Sequence, residues 1–373
     1  MRHLILCSVM WLCGLMMAVG QNVPQVIPAL QQWKSAKGKL VLLETGKVIV
    51  SSDEENELKG EAEILVQDLK EMFGWEYSVV VGKKEKGAVI LAHYYTNEEV
   101  QEIADYVGDS YFLSEIAQKL KEKVIVMCGV FFMGENVKIL NPEKTILIPD
   151  EKADCPMAHM ADIEKIKEVR KKYEDVAVVC YVNSTAELKA ASDVCVTSAN
   201  ALKIVKKLSN KNIYFIPDEH LGRYVASKVP EKNFIFNNGC CYVHAEVTKK
   251  DVEEMKEKYP NAEILVHPEC RKEISDMGDY VGSTSGILKY AAESKKEEFI
   301  ICTEIGIMYE LKKNNPDKKF YSPAKEMVCS NMKKISLEKI IRVLEANEPQ
   351  VHLDLEFIEN ANKALKNMLE LGK

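Results

Sequence analysis

The sequence predicts an α/β protein: three homologous αβα domains, each with a parallel four-stranded sheet, in a pseudo-threefold arrangement, behind an extra N-terminal α+β segment. Three observations carry that expectation. The strings Val89-Ile-Leu-Ala-His93, Ala177-Val-Val-Cys-Tyr181 and Glu263-Ile-Leu-Val-His267 recur, with 88 and 86 residues between their last positions. A small hydroxyl follows each of those last residues by 17 positions, at Ser110, Ser198 and Thr284. Pro142, Pro230 and Pro316 each precede a short apolar run, and Cys155, Cys241 and Cys329 follow them by 13, 11 and 13 residues. A period of about 87 residues is too long for a solenoid unit and suits a small domain.

Residues 21–82 do not share the repeat. Gly38-Lys-Leu-Val-Leu-Leu43, Lys47-Val-Ile-Val50, a helix-like stretch from Glu61 to Phe73 and a strand from Tyr77 to Val81 suggest a small α+β piece. From Ala88 the pattern becomes strand, helix, strand, helix. In the first repeat Val89–Ala92 is a short apolar strand, and Asn97 or Thr96 caps a helix through Ala104 with Glu98 and Glu99 in its first turn. A strand ends at Val107, a helix runs from Ser110 to Leu120, Val124–Met127 is a third strand, Gly134–Leu140 a third helix and Thr145–Ile148 a fourth strand. The second repeat places strands at Ala177–Cys180, Asp193–Val196, Ile213–Ile216 and Phe234–Phe236; the third places them at Ile264–Val266, Tyr280–Val281, Phe299–Ile301 and Phe320–Tyr321. Such alternation is the mark of parallel sheet with helices on both faces.

Bulk properties bound the function. The 373 residues, 47% hydrophobic, suffice for two or three cored domains. A net charge of −7 and a pI near 5.7 give no global reason to expect nucleic acid. Eleven cysteines is an odd count spread along the chain, which fits a disulfide framework poorly. Cys128, Cys180 and Cys302 lie in strand-like runs and read as packing. The charged stretches from Lys165 to Lys172 and from Lys249 to Lys258 read as solvated helix faces.

In sheets of this kind ligands bind at the carboxyl ends of the strands, where helix N-termini also point. His93, Tyr181 and His267 lie just past the first strand of their repeats, and Ser110, Ser198 and Thr284 open the second helix. Three such corners facing one axis make an anion-binding chamber. Three equivalent cysteines would meet there too. Three thiolates on a four-iron cluster leave one iron free as a Lewis acid. Cys240 beside Cys241 leaves the second ligand open on spacing alone.

The motifs Leu91-Ala-His93-Tyr-Tyr95, Ala104-Asp-Tyr-Val-Gly-Asp-Ser110, Tyr181-Val-Asn183-Ser, Thr197-Ser198-Ala-Asn200, His267-Pro-Glu269-Cys, Gly282-Ser-Thr284-Ser and Cys329-Ser-Asn-Met332-Lys closely resemble the quinolinate synthase family, from about Ala88 to the C-terminus. The resemblance implies three related αβα domains about a pseudo-threefold axis. It also implies condensation of iminoaspartate (iminosuccinate) with dihydroxyacetone phosphate to quinolinate, phosphate and water in NAD biosynthesis, with a functional link to L-aspartate oxidase. It implies a [4Fe–4S] cluster on Cys155, Cys241 and Cys329. The family's Gly-x-Cys-x-Val-His aligns with Gly239-Cys-Cys241-Tyr-Val-His244, which selects Cys241. The implied substrate contacts are His93, Tyr95, Ser110, Tyr181, Asn183, Ser198, His267, Glu269 and Thr284, with Glu269 as base, Tyr95 as proton donor, and His93 and His267 beside them.

The N-terminus departs from that family. Arg2, an apolar run from Leu4 to Val19 and the small residues Ala18 and Gly20 have the layout of a secretory signal. Val26-Ile-Pro-Ala-Leu-Gln-Gln-Trp33 onward resembles the start of the N-terminal domain of a secreted family 20 hexosaminidase, without its catalytic barrel. The expected boundaries are 1–20, 21–82, 83–154 with 330–373 packed on it, 155–241 and 242–329. Export fits an oxygen-sensitive cluster poorly, so the cytoplasm is the expected location, against the signal-like segment. Two competing readings stand beside the first. One is another three-cysteine iron–sulfur enzyme of the same plan, such as hydroxymethylbutenyl diphosphate reductase or a diphthamide-forming enzyme. The other is a secreted, non-catalytic glycan-associated module.

Overall fold

The computed structural model describes residues 41–42, 47–51, 78–82, 88–323 and 325–373. The chain divides into two compact units, Met1–Lys86 and Gly87–Lys373. In the first, β1 (Val41–Leu42) pairs antiparallel with β2 (Lys47–Ser51), which pairs parallel with β3 (Ser78–Gly82). The signal-like segment, the hexosaminidase-like stretch at 26–33 and the helix expected from Glu61 to Phe73 lie outside the described residues.

The second unit holds the repeats. The first runs β4 (Ala88–His93), α1 (Glu98–Ile103), β5 (Tyr106–Gly108), α2 (Ser110–Lys119), β6 (Val124–Cys128), α3 (Phe131–Leu140) and β7 (Thr145–Leu147). The second opens with α4 (Ile163–Lys172), then β8 (Val176–Tyr181), α5 (Ala186–Ala190), β9 (Val194–Val196), α6 (Ala201–Lys207), β10 (Asn212–Ile216), α7 (Glu219–Ser227) and β11 (Asn233–Phe236). The third opens with α8 (Tyr242–Ala245) and α9 (Lys249–Lys258), then β12 (Glu263–Val266), α10 (Lys272–Ser275), β13 (Tyr280–Val281), α11 (Thr284–Glu293), β14 (Glu298–Cys302), α12 (Ile307–Asn314) and β15 (Lys319–Tyr321). Each sheet is four-stranded and parallel, in the same order: β5-β4-β6-β7, β9-β8-β10-β11 and β13-β12-β14-β15. The first strand of each repeat is central, and β4 and β8 are buried along their whole length. This is why they read as continuous apolar runs without alternation.

The repeat extends to polar contacts. Asp105, Asp193 and Asp279 each accept a bond from the first strand's backbone, at Ile90 N (2.8 Å), Val178 N (2.7 Å) and Ile264 N (2.8 Å). Lys144, Lys232 and Lys318, two residues after the repeated prolines, each cap the carbonyl end of the second helix. Lys144 Nζ donates to Ala117 O and Leu120 O at 2.9 and 2.7 Å, Lys232 Nζ to Leu208 O and Asn210 O at 2.6 and 2.7 Å, and Lys318 Nζ to Ala291 O and Ser294 O at 2.6 and 2.8 Å. A cation there satisfies orphan carbonyls and opposes the negative end of the helix dipole.

Two helices close the chain, α13 (Leu337–Ala346) and α14 (Leu355–Leu371). α13 packs on β6, and Val351 N donates to Ile146 O at 2.8 Å, so this part lies on the first repeat. α14 buries Ile358, Ala361, Ala364, Leu365 and Met368 on one face. That face lies against α3 of the first repeat and against α5, β9 and α6 of the second, so the tail clamps two repeats. Two local expectations need correction. α3 begins at Phe131, not Gly134, because eight of its ten residues are buried and no amphipathic period marks its start. Asn97 precedes α1, yet its side chain makes no cap bond; its amide donates to Lys333 O and Ile335 O instead, at 3.3 and 3.1 Å.

Candidate active site

The carboxyl ends of the central strands of all three repeats open onto one pocket. Its lining includes every site residue expected from sequence: His93, Tyr95 and Ser110 from the first repeat, Tyr181, Asn183 and Ser198 from the second, His267, Glu269 and Thr284 from the third, and Cys155, Cys241 and Cys329 from the loops between and after them. Cys240 is not in the lining. All nine cysteines among the described residues are free thiols. Cys128, Cys180, Cys195, Cys270 and Cys302 are buried in the sheets and their surroundings. The three pocket cysteines feel one another. Burial raises the Cys155 thiol to about 12, with the sulfur of Cys329 adding to the rise. Burial likewise raises Cys241, helped by Glu269 and Cys155.

His93 and His267 occupy the same place in their repeats and are held alike. Nδ1 of His93 accepts Tyr95 N–H at 3.1 Å, and Nδ1 of His267 accepts Glu269 N–H at 3.3 Å. The turn two residues past the strand therefore fixes the tautomer, leaving the proton on Nε2. Burial lowers both imidazoles to about 3, so both are neutral donors near pH 7. His267 Nε2–H points at Ser198 Oγ, 3.1 Å away, in the second repeat.

Glu269 sits at the centre and is 3% exposed. Burial opposes its charge, but the hydrogen-bonded ring of His244, with the Tyr181 hydroxyl, outweighs that and holds the carboxyl below the usual carboxylate range. Oε2 lies 2.9 Å from His244 Nδ1, whereas Oε1 is buried without a protein partner. From His244 a hydrogen-bonded chain continues: Nε2 to Thr303 Oγ1 at 2.9 Å, Thr303 to the Tyr95 hydroxyl at 2.8 Å, and Tyr95 to Thr284 Oγ1 at 2.8 Å. Burial and the charge of Glu269 push Tyr95 well above its ordinary pKa, so the phenol keeps its proton.

Sequence reasoning missed several residues here. His244 stands three positions after Cys241, and its ring lies 3.1 Å from that sulfur. Glu304 lines the pocket, is fully buried, and pairs with Lys333 at 3.1 Å. Asp109 caps α2 through Phe112 N at 2.9 Å and receives a bond from Ser285 in the third repeat. The histidine had a signal, since the Gly239-to-His244 string contains it; Glu304 had only the carboxylate at the same phase of the second repeat, Asp218.

Comparison with known proteins decides the family. A family model described as quinolinate synthetase A protein matches residues 78–370. The chain belongs to the quinolinate synthase family. Quinolinate synthase of Clostridioides difficile strain 630 is 53% identical over 297 residues, covering 80% of this chain and 98% of that protein. The quinolinate synthases of Fusobacterium nucleatum and Caldicellulosiruptor bescii are 52% and 50% identical over 290 residues, 78% of this chain and 97% and 96% of theirs. As a quinolinate synthase family member the chain is an enzyme of NAD biosynthesis, and the pocket described above is its candidate active site. The matched span begins at 78, so residues 1–77 stand outside it and the match gives no support to the signal or hexosaminidase readings. Among the described residues no helix is long and apolar enough to cross a membrane.

Proposed function

We propose that this chain condenses iminoaspartate with dihydroxyacetone phosphate to quinolinate, phosphate and water, at a [4Fe–4S] cluster held by Cys155, Cys241 and Cys329. The observation that carries the reading is the meeting of three free thiols, two from the loops between repeats and one from the loop after the third, in a pocket that also contains Glu269 and Tyr95. The donor set fits such a group: the buried thiols oppose one another's ionisation, which a shared cationic centre would relieve. When bound, the cluster supplies a Lewis-acid iron without a protein ligand, which eases loss of hydroxide.

The chain's own residues do the rest. No lysine or arginine lines the pocket among the described residues. Carboxylate and phosphate oxygens are therefore held by neutral donors: the Nε2–H groups of His93 and His267, the Tyr181 hydroxyl, the Asn183 amide, Ser110, Ser198, Thr284, and the N-terminal amides of α2 and α11. Glu269 Oε1, free of protein partners while His244 steadies Oε2, takes protons from carbon and nitrogen during condensation and tautomerisation. Tyr95, kept as a phenol, donates to the departing oxygen.

Iminoaspartate is the product of aspartate oxidation, so an L-aspartate oxidase is the proposed supplier. Nine free thiols among the described residues and an oxygen-sensitive cluster support a cytoplasmic location. A second reading rests on a different observation: donor atoms of Cys241, His244 and Glu269 lie within 4.8 Å of one another and suit a single divalent ion. The test is anaerobic incubation of reconstituted protein with both substrates, with quinolinate measured by chromatography. Quinolinate in wild type is expected; its absence from a sample loaded with iron and sulfide rejects the reading, and one metal without sulfide favours the second.

A further inference from the structure

The third strand of each repeat ends two residues before a position that differs among the three: Val130 after β6, Asp218 after β10 and Glu304 after β14. In the second and third repeats the carboxylate reaches forward to the backbone of a pocket cysteine. Asp218 Oδ2 accepts Cys241 N–H at 3.3 Å, and Glu304 Oε1 accepts Cys329 N–H at 3.1 Å. Both carboxylates are fully buried, at 0% exposure. Each is anchored at its other oxygen: Asp218 Oδ1 accepts Leu221 N–H at 2.6 Å, and Glu304 Oε2 accepts Gly306 N–H at 2.6 Å. The first repeat has only Val130 there. Cys155 N–H is instead bound at 2.8 Å by its neighbour Asp154, a solvent-facing carboxylate paired with His159.

We propose that Asp218 and Glu304 are positioning residues that fix the loops presenting Cys241 and Cys329, and that the Cys155 corner is the loosely held one. The inference rests on the cluster reading above and extends it to two carboxylates that act through the backbone of the cysteine loops. A buried carboxylate with one oxygen on a helix or turn and the other on the cysteine amide makes that loop one rigid piece with the strand end. Removing the acceptor leaves a half-buried amide without its partner and frees the loop. Outer contacts of this kind are commonly worth about 10- to 100-fold in metal retention. The exposed Asp154 contact is weaker, because water replaces it at little cost.

The experiment uses full-length protein prepared anaerobically as wild type, D218A, D218N, E304A, E304Q and D154A. Iron loss to a ferrous chelator is timed well below the melting temperature, and the reduced cluster is followed by its paramagnetic signal; apo-protein melting is recorded alongside. D218A and E304A are expected to release iron at least about ten times faster than wild type, D218N and E304Q to fall between, and D154A to stay within about three-fold of wild type. D218N and E304Q keep an acceptor oxygen, so they answer the question even where an alanine variant folds poorly. Wild-type release rates in E304A and D218A, with only the melting temperature lowered, would overturn the proposal and leave a purely structural role. A wild type that holds no iron would instead defeat the cluster reading beneath it.

Discussion

The hydroxyl of Tyr95 lies 2.8 Å from Thr284 Oγ1, although 189 positions of chain separate the two. The first and third repeats thus build one hydrogen-bonded wall, with Thr303 bound to the same phenol at 2.8 Å. Tyr95→Phe keeps the ring and removes the proton. It is expected to lower kcat by about 100-fold with iron content unchanged, because a general acid contributes roughly that much. A kcat within about three-fold of wild type would remove Tyr95 from proton transfer.

Glu269→Gln keeps the shape and removes the base. Gln can still face His244 through one terminal atom, so the pocket should stay assembled. The expected result is a fall in kcat of about 100- to 10,000-fold, with wild-type iron and sulfide. Loss of both cluster and activity together would mean that Glu269 holds the site together and does not act in the reaction.

Buried, neutral His93 makes apo-protein stability pH-dependent. Its folded pKa, near 3, lies below the ordinary 6.5, so the unfolded chain binds a proton that the folded one refuses. The stability is therefore complete above pH 6.5 and is lost progressively as the pH falls toward 3. At pH 5.5 this amounts to about 1.4 kcal/mol for one such histidine. Urea titrations of wild type and His93→Gln at pH 7.5 and 5.5 check it. The variant should lose less stability on acidification by about that amount, and parallel losses would contradict the assignment.

The three lysine caps predict equivalent structural roles outside the pocket. Lys144→Met strips two helix-end carbonyls of their shared donor and should cost about 1–3 kcal/mol in urea unfolding, with turnover per folded molecule unchanged. A change below about 0.5 kcal/mol would show that water replaces the ammonium freely.

The strands of the repeats were legible because fully buried parallel strands are short apolar runs between turn residues, as at Val89–Ala92 and Val176–Tyr181. The pocket residues were legible because they sit at one phase of the repeat, as His93 and His267 do. What escaped was chemistry that the repeat does not conserve in kind. Glu304 corresponds in position to Asp218 and Val130: two repeats carry a carboxylate there and the first a valine, so the threefold pattern breaks at that place. The prolines at 142, 230 and 316 were visible, but the meaning of Lys144, Lys232 and Lys318 depends on helices that end more than twenty residues earlier in the chain. Asn97 has a cap-forming side chain, yet tertiary contacts with Lys333 and Ile335 claim it.

The most direct test is an anaerobic count of iron and acid-labile sulfide in wild type, Cys155→Ala, Cys241→Ala, Cys329→Ala and Cys240→Ala. The account predicts about four of each per chain in wild type and in Cys240→Ala, and a large loss in the other three. Full loading of any of those three, or loss confined to Cys240→Ala, would contradict it.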